Sequence, residues 1–290
     1  MRLIALAFAA TVLVSCSHPA QKAPPADGRI HVETTFSTLN SFVTAVGGDH
    51  VVVSNLVPVG ASPEEYQPTP QDVATLADAQ IAVVNGAGID GWVERIIRSS
   101  GNAQLRVVTC TDGLTVVGGN PHLWMDPQLA KHYVDTIQIA LSQLDPAHAA
   151  EYVANAHAYD AKLDALTTSI STQIATIPQQ QRLMIVYHDA WPYYARQFGL
   201  QIVGAIVPGP GQEPNPGDLA RLVALARTRN VRAIFAEPEY SAKLAHSIAS
   251  DAHIAIVSNL YDDSIGTDPR VHDYLSMLQY DTDVIVKALR

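Results

Sequence analysis

Cysteine, positive charge and aromatic residues are all scarce in this sequence. Two cysteines in 290 residues, Cys16 and Cys110, are too few for a scaffold held together by a disulfide framework. Lys and Arg number 18 against 28 Asp and Glu, a formal charge of −10, which argues against nucleic acid or an anionic membrane surface as the main partner. The chain also contains no HExxH motif of the kind found in metalloproteases, and no glycine-rich phosphate loop of the kind found in nucleotide-binding proteins. The sequence therefore supports neither of these two classes.

Apolar residues, in contrast, are abundant. They make up 48% of the chain, while charged residues make up 16%, so a large buried core is possible. This composition is typical of one large or two modest globular domains and excludes a disordered or fibrous chain. We expect Cys110 to be a small buried residue and not a metal ligand.

The N-terminus has the pattern of an export signal. Met1-Arg2 is followed by LIALAFAATVLV, an apolar run too short to cross a bilayer comfortably, and then by Ser15-Cys16. The stretch LVSC resembles a bacterial lipobox, which would make Cys16 the acylated N-terminus of the mature protein; the alternative is an ordinary signal peptide with an incidental cysteine. We therefore predict a signal peptide and lipobox at 1–16 and a flexible, Pro/Ala-rich tether at 17–28. With Cys16 lipidated, Cys110 could form no disulfide within the chain.

Short branched apolar runs alternate with longer helical patterns along the rest of the sequence. This alternation predicts an α/β fold of two lobes with largely parallel sheets. The runs are IHVETTF from Ile30, HVVVSNLV from His50, QIAVVNG from Gln80 and LRVVTC from Leu105, then RLMIVYH from Arg182, QIVGAIV from Gln201, VRAIFAE from Val231 and HIAIVSNL from His253.

One long helix is predicted between the two series of strands. Asp145 and Pro146 form a start signal, and Pro178 a stop. Apolar residues recur at steps of three or four, which predicts one buried face along the helix. They are Tyr152, Ala156, Tyr159, Leu163, Leu166, Ile170, Ile174 and Ile177. The predicted division is an N-terminal lobe at 29–144, a bridging helix at 145–178 and a C-terminal lobe at 179–290.

Four polar side chains follow apolar runs at positions where an open parallel sheet binds its ligands. His188 directly follows RLMIVY, and we expect Asp189 to cap a helix that Gly199 ends. His122 lies in NPHLWMDP, just ahead of a helix that Asp126 and Pro127 should start. Asp263 follows HIAIVS, and Glu64 lies in the proline-rich loop GASPEEYQPTPQD.

These four residues form a suitable ligand set for one divalent transition metal ion. Two imidazoles supply nitrogen, and the two carboxylates of Glu64 and Asp263 balance the charge of a dication, so that the ion can be buried between lobes. Each residue alone would be weak support; the prediction depends on the set.

Four motifs carry a more specific resemblance. The stretches NPHLWMDP, YHDAWPYYARQFGL, NLYDDSIG and VGASPEEYQPTP are similar to those of the metal-binding lipoproteins that serve zinc and manganese ABC importers, the cluster A-I solute-binding proteins. The resemblance covers nearly all of the mature chain. It implies two α/β lobes bridged by a long helix, with His122, His188 and Asp263 as metal ligands between them.

The fourth ligand position departs from the family pattern. Members generally have Asp-Pro-His-Glu-Tyr where this chain has Ser-Pro-Glu-Glu-Tyr at 62–66, so Glu64 occupies the place of the first histidine. The resulting oxygen-rich set shifts the expectation toward Mn²⁺ or Fe²⁺, although Zn²⁺ generally binds such ligands more tightly. The histidine-rich acidic loop common in dedicated zinc members is also missing, so the sequence leaves the metal open.

Several other residues have two possible interpretations. Glu237 follows a strand, but we favour it as an acid at the start of a helix over EPEYSAKLAHSIA. Asp262 and Glu65 could lie behind the ligands or be solvated, and the aromatic rings of Trp124, Trp191 and Tyr66 could shield the site or simply pack. The remaining histidines, which include His50, His148 and His157, are expected to be structural or surface residues.

The leading hypothesis is an exported binding protein, and not an enzyme. Its cargo would be one divalent metal ion, either Zn²⁺ or Mn²⁺, with Fe²⁺ as a further candidate. It would deliver the ion to an ABC permease in the cytoplasmic membrane, acting as a monomer anchored by lipid at the outer face of that membrane or in the periplasm. Because metal binding deprotonates histidine, the affinity of the protein for the metal should fall as pH drops through about 6 to 6.5.

The alternatives are a metal-dependent hydrolase, a binding protein for another ligand such as a siderophore or corrinoid, and an adhesin. A hydrolase needs an open metal position that four protein ligands would close, and aromatics at 7% give little support to a wide cofactor cleft.

Overall fold

Two four-stranded parallel sheets organise the chain. A computed structural model describes residues 28–290 except positions 208, 210, 211, 239, 242 and 267. The predicted signal peptide and lipobox with Cys16, and the tether up to residue 27, lie outside the described residues. All eight predicted strands are confirmed, and they are β1 (Ile30–Thr34), β2 (Val51–Asn55), β3 (Ile81–Val84), β4 (Arg106–Thr109), β5 (Leu183–Val186), β6 (Gln201–Ala205), β7 (Ala233–Phe235) and β8 (Ala255–Val257).

The strand orders are β2-β1-β3-β4 in the first sheet and β6-β5-β7-β8 in the second. Every paired strand runs parallel. Of the four inner strands, β3, β5 and β7 are buried at every position and β1 at all but His31, as expected when helices cover both faces of a sheet. The predicted α/β fold of two lobes with parallel sheets is therefore confirmed.

Helices connect the strands and cover the sheets. Those of the described residues are α1 (Ser37–Gly47), α2 (Pro70–Asp78), α3 (Val93–Ser100), α4 (Pro127–Leu144), α5 (Ala149–Ala175), α6 (Pro192–Phe198), α7 (Pro216–Thr228), α8 (Lys243–Ala252) and α9 (Tyr274–Leu289). None of the helices in this described part of the chain combines the length and hydropathy that crossing a lipid bilayer requires.

The long helix α5 bridges the lobes. It contains 27 residues, about 40 Å at 1.5 Å per residue, and a single 3-10 turn (Pro146–His148) precedes it where the sequence predicted the helix to begin. Its predicted apolar stripe is buried. One side of α5 packs on α1 and α4 of the N-terminal lobe, and it also contacts α6 and α9 from the C-terminal part of the chain.

One hydrophobic core runs through both lobes. It extends from Ile30 in β1 to Leu289 at the end of α9, and two smaller clusters fill the outer faces of the two sheets. Cys110 is a free thiol within the shared core and is fully buried, as predicted. The shared core and the continuous helix make the connection between lobes stiff, because separating them would expose apolar surface.

Candidate metal centre

The structure brings the four predicted ligands together. One ligand atom from each of Glu64, His122, His188 and Asp263 lies within 4.8 Å of the others. Glu64 follows β2 and His122 follows β4 of the N-terminal sheet, whereas His188 follows β5 and Asp263 follows β8 of the C-terminal sheet. The four residues thus meet between the lobes, beyond the carboxyl ends of strands from both sheets.

The His122 loop is fixed from both sides. Asp126 caps α4 by accepting a hydrogen bond from the Gln128 amide, and Pro127 occupies the first helical position, as the sequence predicted. Ahead of it, a 3-10 turn (Leu123–Met125) follows His122 directly. The buried Asn85 side chain donates to the Pro121 carbonyl at 3.1 Å and accepts from the Tyr133 hydroxyl at 2.7 Å.

The His122 ring has a defined orientation. Its Nδ1 lies 3.1 Å from the Asn120 side-chain oxygen, which can only accept, so the proton is assigned to Nδ1 and the lone pair to Nε2. That Nε2 faces Glu64 Oε1 at 3.8 Å and Asp263 Oδ1 at 3.5 Å. His122 therefore presents its free nitrogen to the two predicted carboxylate ligands.

The Glu64 loop is tied to its own lobe and to the opposite lobe. The Trp92 indole donates to the Pro63 carbonyl at 2.8 Å. Across the cleft, the Gly60 amide donates to the Ser264 hydroxyl at 2.7 Å, and the Tyr240 hydroxyl donates to Ser62 Oγ at 3.3 Å. These bonds tie the loop that contains Glu64 to both lobes at the site.

His188 has a different environment from His122, because two further carboxylates flank it. Its Nδ1 lies 3.4 Å from Glu237 Oε2, and its Nε2 lies 3.3 Å from Asp262 Oδ2. Both acids are 1% exposed, so Asp262 is not the solvated residue that the sequence left possible. His188, Glu237 and Asp262 also have ligand atoms within 4.8 Å of one another, which makes His188 common to two groups of metal-ligand side chains.

Glu237 was wrongly predicted to be an acid in the first turn of a helix. The structure begins α8 only at Lys243, and Glu237 lies just beyond the end of β7. There it accepts a hydrogen bond from the Trp191 indole at 3.0 Å. A polar residue at the end of an apolar run is the signal that identified His188, and Glu237 shares it, but acids near the start of EPEYSAKLAHSIA favoured a helix start. The predicted helix cap at Asp189 is also wrong, because α6 begins after Trp191, with Pro192 as its first residue. The predicted end at Gly199 is confirmed, and its φ of 72° is left-handed.

The aromatic residues near the site divide into two groups. Trp124 and Trp191 are fully buried, and each is tied to the site: the Trp124 indole donates to the Asp262 carbonyl at 3.0 Å, and the Trp191 indole holds Glu237. Tyr66, in contrast, packs on Trp92 and donates to Asp72 at 3.0 Å. The tryptophans support and shield the centre, while Tyr66 is a packing residue of its own lobe.

Burial and crowded carboxylates shift the ionisation of the site. Burial, followed by the neighbouring Asp263 carboxylate, raises the pKa of Glu64 to about 8. Burial lowers the pKa of His122 below its ordinary value, against an opposing effect of Asp263. For His188, burial alone would lower the pKa, but the carboxylates of Asp262 and Glu237 outweigh it and raise the pKa well above the ordinary value.

The donor set fits a divalent cation. Among the described residues, no hydrogen-bond partner is found for several buried nitrogen and oxygen atoms of the four predicted ligands. They include His122 Nε2, His188 Nε2, Glu64 Oε2 and both carboxylate oxygens of Asp263. Buried polar atoms without partners are costly, and an ion bound by imidazole nitrogen and carboxylate oxygen would satisfy them.

The chain is similar to known metal-binding proteins. Residues 32–288 match the family described as zinc-uptake complex component A, periplasmic. The chain is 29% identical to the manganese-binding lipoprotein MntA of Halalkalibacterium halodurans over 90% of its length and 88% of that protein's. It is likewise 29% identical to the iron-binding protein YfeA of Yersinia pestis over 90% of its length and 86% of that protein's.

A solved structure shows the same fold. The manganese-bound form of a periplasmic metal-binding protein variant from Candidatus Liberibacter asiaticus superposes with a TM-score of 0.83 at 25% identity. The match covers 90% of the present chain and all of the other.

Proposed function

We propose that this chain, which belongs to the family of periplasmic zinc-uptake component A proteins, captures one divalent transition metal ion between its lobes. The family consists of transport proteins that bind substrate, not of enzymes. In this role the chain is the extracytoplasmic substrate-binding component of an ABC transporter and delivers the ion to a membrane permease.

The observation that carries the proposal is the convergence of Glu64, His122, His188 and Asp263. Each lobe contributes two of these side chains, so that one ion can be held by both lobes at once. We assign all four as ligands. The two carboxylates balance the ionic charge, and the two imidazoles supply the nitrogen ligands that Mn²⁺, Fe²⁺ and Zn²⁺ accept.

Mn²⁺, Fe²⁺ and Zn²⁺ all accept two oxygen and two nitrogen donors, so the donor set alone does not decide which ion is imported. Relatives of the chain are named for manganese and for iron, and the family for zinc. By the general order of divalent affinities, Zn²⁺ should bind these ligands more tightly than Mn²⁺ when both are offered. We propose that the cargo imported is Zn²⁺ or Mn²⁺, selected by which ion is available.

A competition titration tests this proposal. The chelator-stripped protein is titrated with Zn²⁺ and with Mn²⁺ against a chromophoric chelator, beside the variant Glu64→Ala. We expect one tightly bound ion per chain and weaker binding in Glu64→Ala, because one ligand and one balancing charge are lost.

The variant Glu65→Ala is the matched control, since Glu65 is the exposed neighbour of Glu64 and lies outside the proposed ligand set. It should bind as the unmodified protein does. No tight binding of either metal would overturn the proposed function. Tight binding that Glu64→Ala leaves unchanged would remove Glu64 from the ligand set.

The membrane attachment is a further part of the proposal. The lipobox pattern at Leu13–Cys16 supports a lipid anchor on Cys16 that holds a monomer at the outer face of the cytoplasmic membrane or in the periplasm. The relative MntA is named as a lipoprotein. Replacing Cys16 by Ser should abolish incorporation of labelled fatty acid and release the protein from the membrane fraction. Labelling that persists in Cys16→Ser would contradict the anchor.

A further inference from the structure

A second group of metal-ligand side chains lies at the start of α5. His50 ends a 3-10 turn just ahead of β2, His148 immediately precedes α5, and Glu151 lies in the first turn of that helix. One ligand atom from each lies within 4.8 Å of the others. This α5-entry cluster (His50, His148 and Glu151) is at the amino end of β2, whereas the centre between the lobes lies beyond the carboxyl ends of the strands.

The three side chains are close enough to share one ion. His50 Nε2 lies 2.8 Å from Glu151 Oε2, and the rings of His50 and His148 stack with centroids 3.8 Å apart at 20°. Ligands around a tetrahedral zinc ion lie about 3.3 Å apart, given metal–ligand distances of about 2.0 Å. Binding therefore requires the two rings to turn out of their stacked arrangement, so that their in-plane lone pairs converge on one ion beside Glu151.

A fourth residue fixes the orientation of His148. Its Nδ1 lies 2.6 Å from Asp145 Oδ2, and the Tyr152 hydroxyl donates to the same carboxylate oxygen at 2.8 Å. A histidine that donates from Nδ1 to a carboxylate leaves Nε2 as its metal-binding atom, which is the usual support of histidine ligands in metal sites. Asp145 and Tyr152 are thus positioned behind His148 and not in the ligand set.

Charge also makes the cluster suitable for a cation. The N-terminus of a helix carries a partial positive charge that by itself disfavours a bound cation. Glu151 in the first turn and Asp145 just before the helix supply two carboxylates that offset it. His148 and Glu151 are three residues apart, which places them on the same face at the start of the helix.

We propose that the α5-entry cluster is a second, exposed zinc site, bound through His50, His148 and Glu151. Two imidazoles and one carboxylate suit Zn²⁺ better than Mn²⁺. Three protein ligands leave one coordination position open to solvent, and the ligand side chains are 26%, 40% and 62% exposed. The ion at this site exchanges with solvent, unlike the ion enclosed between the lobes.

Zinc titration of the full-length chain by calorimetry tests the second site. We expect two zinc ions per chain, one tight and one weaker. The variants His148→Gln and Glu151→Gln should each lower the affinity for the second ion by at least about 10-fold, because a ligand is lost. The affinity for the tightly bound ion should stay unchanged. The variant His188→Ala should lose the tight ion and keep the weaker one, which separates this site from the centre between the lobes.

His157→Gln is the matched control, since His157 is an exposed histidine on the same helix and outside the cluster; it should bind both ions. Melting temperatures without zinc show whether each variant is folded. Glu151→Gln replaces an exposed side chain and decides the question even if His148→Gln unfolds. Binding of only one zinc ion, or a second ion unaffected by Glu151→Gln or lost in His188→Ala, would overturn the proposal.

Discussion

The two halves of the metal centre differ in charge. The N-terminal lobe supplies Glu64 and a histidine supported by a neutral amide, since Asn120 accepts from His122 at 3.1 Å. The C-terminal lobe surrounds its histidine with buried acids, Glu237 and Asp262, in addition to the proposed ligand Asp263. Burial lowers the pKa of His122, while in His188 these acids outweigh burial and raise the pKa.

This difference in charge indicates that the two halves contribute differently to metal binding. The acidic half carries more negative charge than one dication needs, so it would attract the ion, and the N-terminal half would complete the coordination. The excess charge has a second consequence, because protons compete with the metal for the same side chains. The predictions below change each half in turn, beginning with the largest expected effect.

Lowering the pH should weaken metal binding most strongly. Glu64, with a pKa raised to about 8, and His188 both hold protons at neutral pH in the metal-free protein, and metal ligands must be deprotonated. Between pH 8 and pH 5, competition by one proton of that pKa alone would reduce the affinity by about 500-fold. Affinity should therefore begin to fall near pH 8, above the range of 6 to 6.5 expected from ordinary histidines.

Calorimetry in buffers of different ionisation enthalpy measures this effect directly, because it counts the protons released on binding. We expect release of at least one proton per metal ion at pH 7. Binding without proton release, together with an affinity that stays constant down to pH 5, would show that neither side chain is a ligand.

Replacing His188 by Ala should remove the ligand of the acidic half and leave its buried carboxylates without their imidazole. The affinity for Zn²⁺ should fall by more than the roughly 100-fold that bounds the loss of outer partners of a metal ligand. Competition titration measures it, with the exposed residue in His157→Ala as control. A loss of less than about 10-fold would place the ion elsewhere.

Glu237→Gln tests the support of that half, because glutamine keeps the shape but removes the charge beside His188 Nδ1. Zinc affinity should fall by about 10- to 100-fold, as for other acids that orient a ligating histidine. The pKa of His188, followed by NMR in the metal-free variant, should also fall, a change that a purely packing role of Glu237 would not produce. An unchanged pKa would reject Glu237 as the orienting partner.

Asn120→Ala should have the smallest effect of this series. It removes the neutral acceptor of the His122 ring, so the histidine remains a ligand but loses its fixed orientation, and the affinity should fall by about 10-fold, at the low end for such partners. The same titration measures the loss. If Asn120→Ala weakened binding more than Glu237→Gln, the greater importance of the acidic half would be contradicted.

The sequence predicted most of the fold because its signals are local. Eight apolar runs became eight strands, and the steps of three and four from Tyr152 to Ile174 became the buried face of α5. Errors arose where short signals competed: Pro192 set the start of α6 and displaced the predicted cap at Asp189.

The candidate site was predicted in part. His122, His188, Asp263 and Glu64 each follow a strand, and a parallel sheet brings such positions together. Glu237 was considered but set aside, because acids near the start of EPEYSAKLAHSIA favoured a helix start. Asp262 could not be distinguished from its neighbour Asp263 by pattern. The meeting of His50 with His148 depends on packing between the end of α1 and the start of α5, which no local pattern encodes.

The central claim is that one ion joins the two lobes, and a crystal structure with one equivalent of Zn²⁺ and anomalous data tests it most directly. We predict a single anomalous peak within about 2.0 to 2.2 Å of ligand atoms from Glu64, His122, His188 and Asp263. A peak held instead by His188, Glu237 and Asp262, with Glu64 and His122 uncoordinated, would contradict the claim, since the metal would then belong to the C-terminal lobe alone.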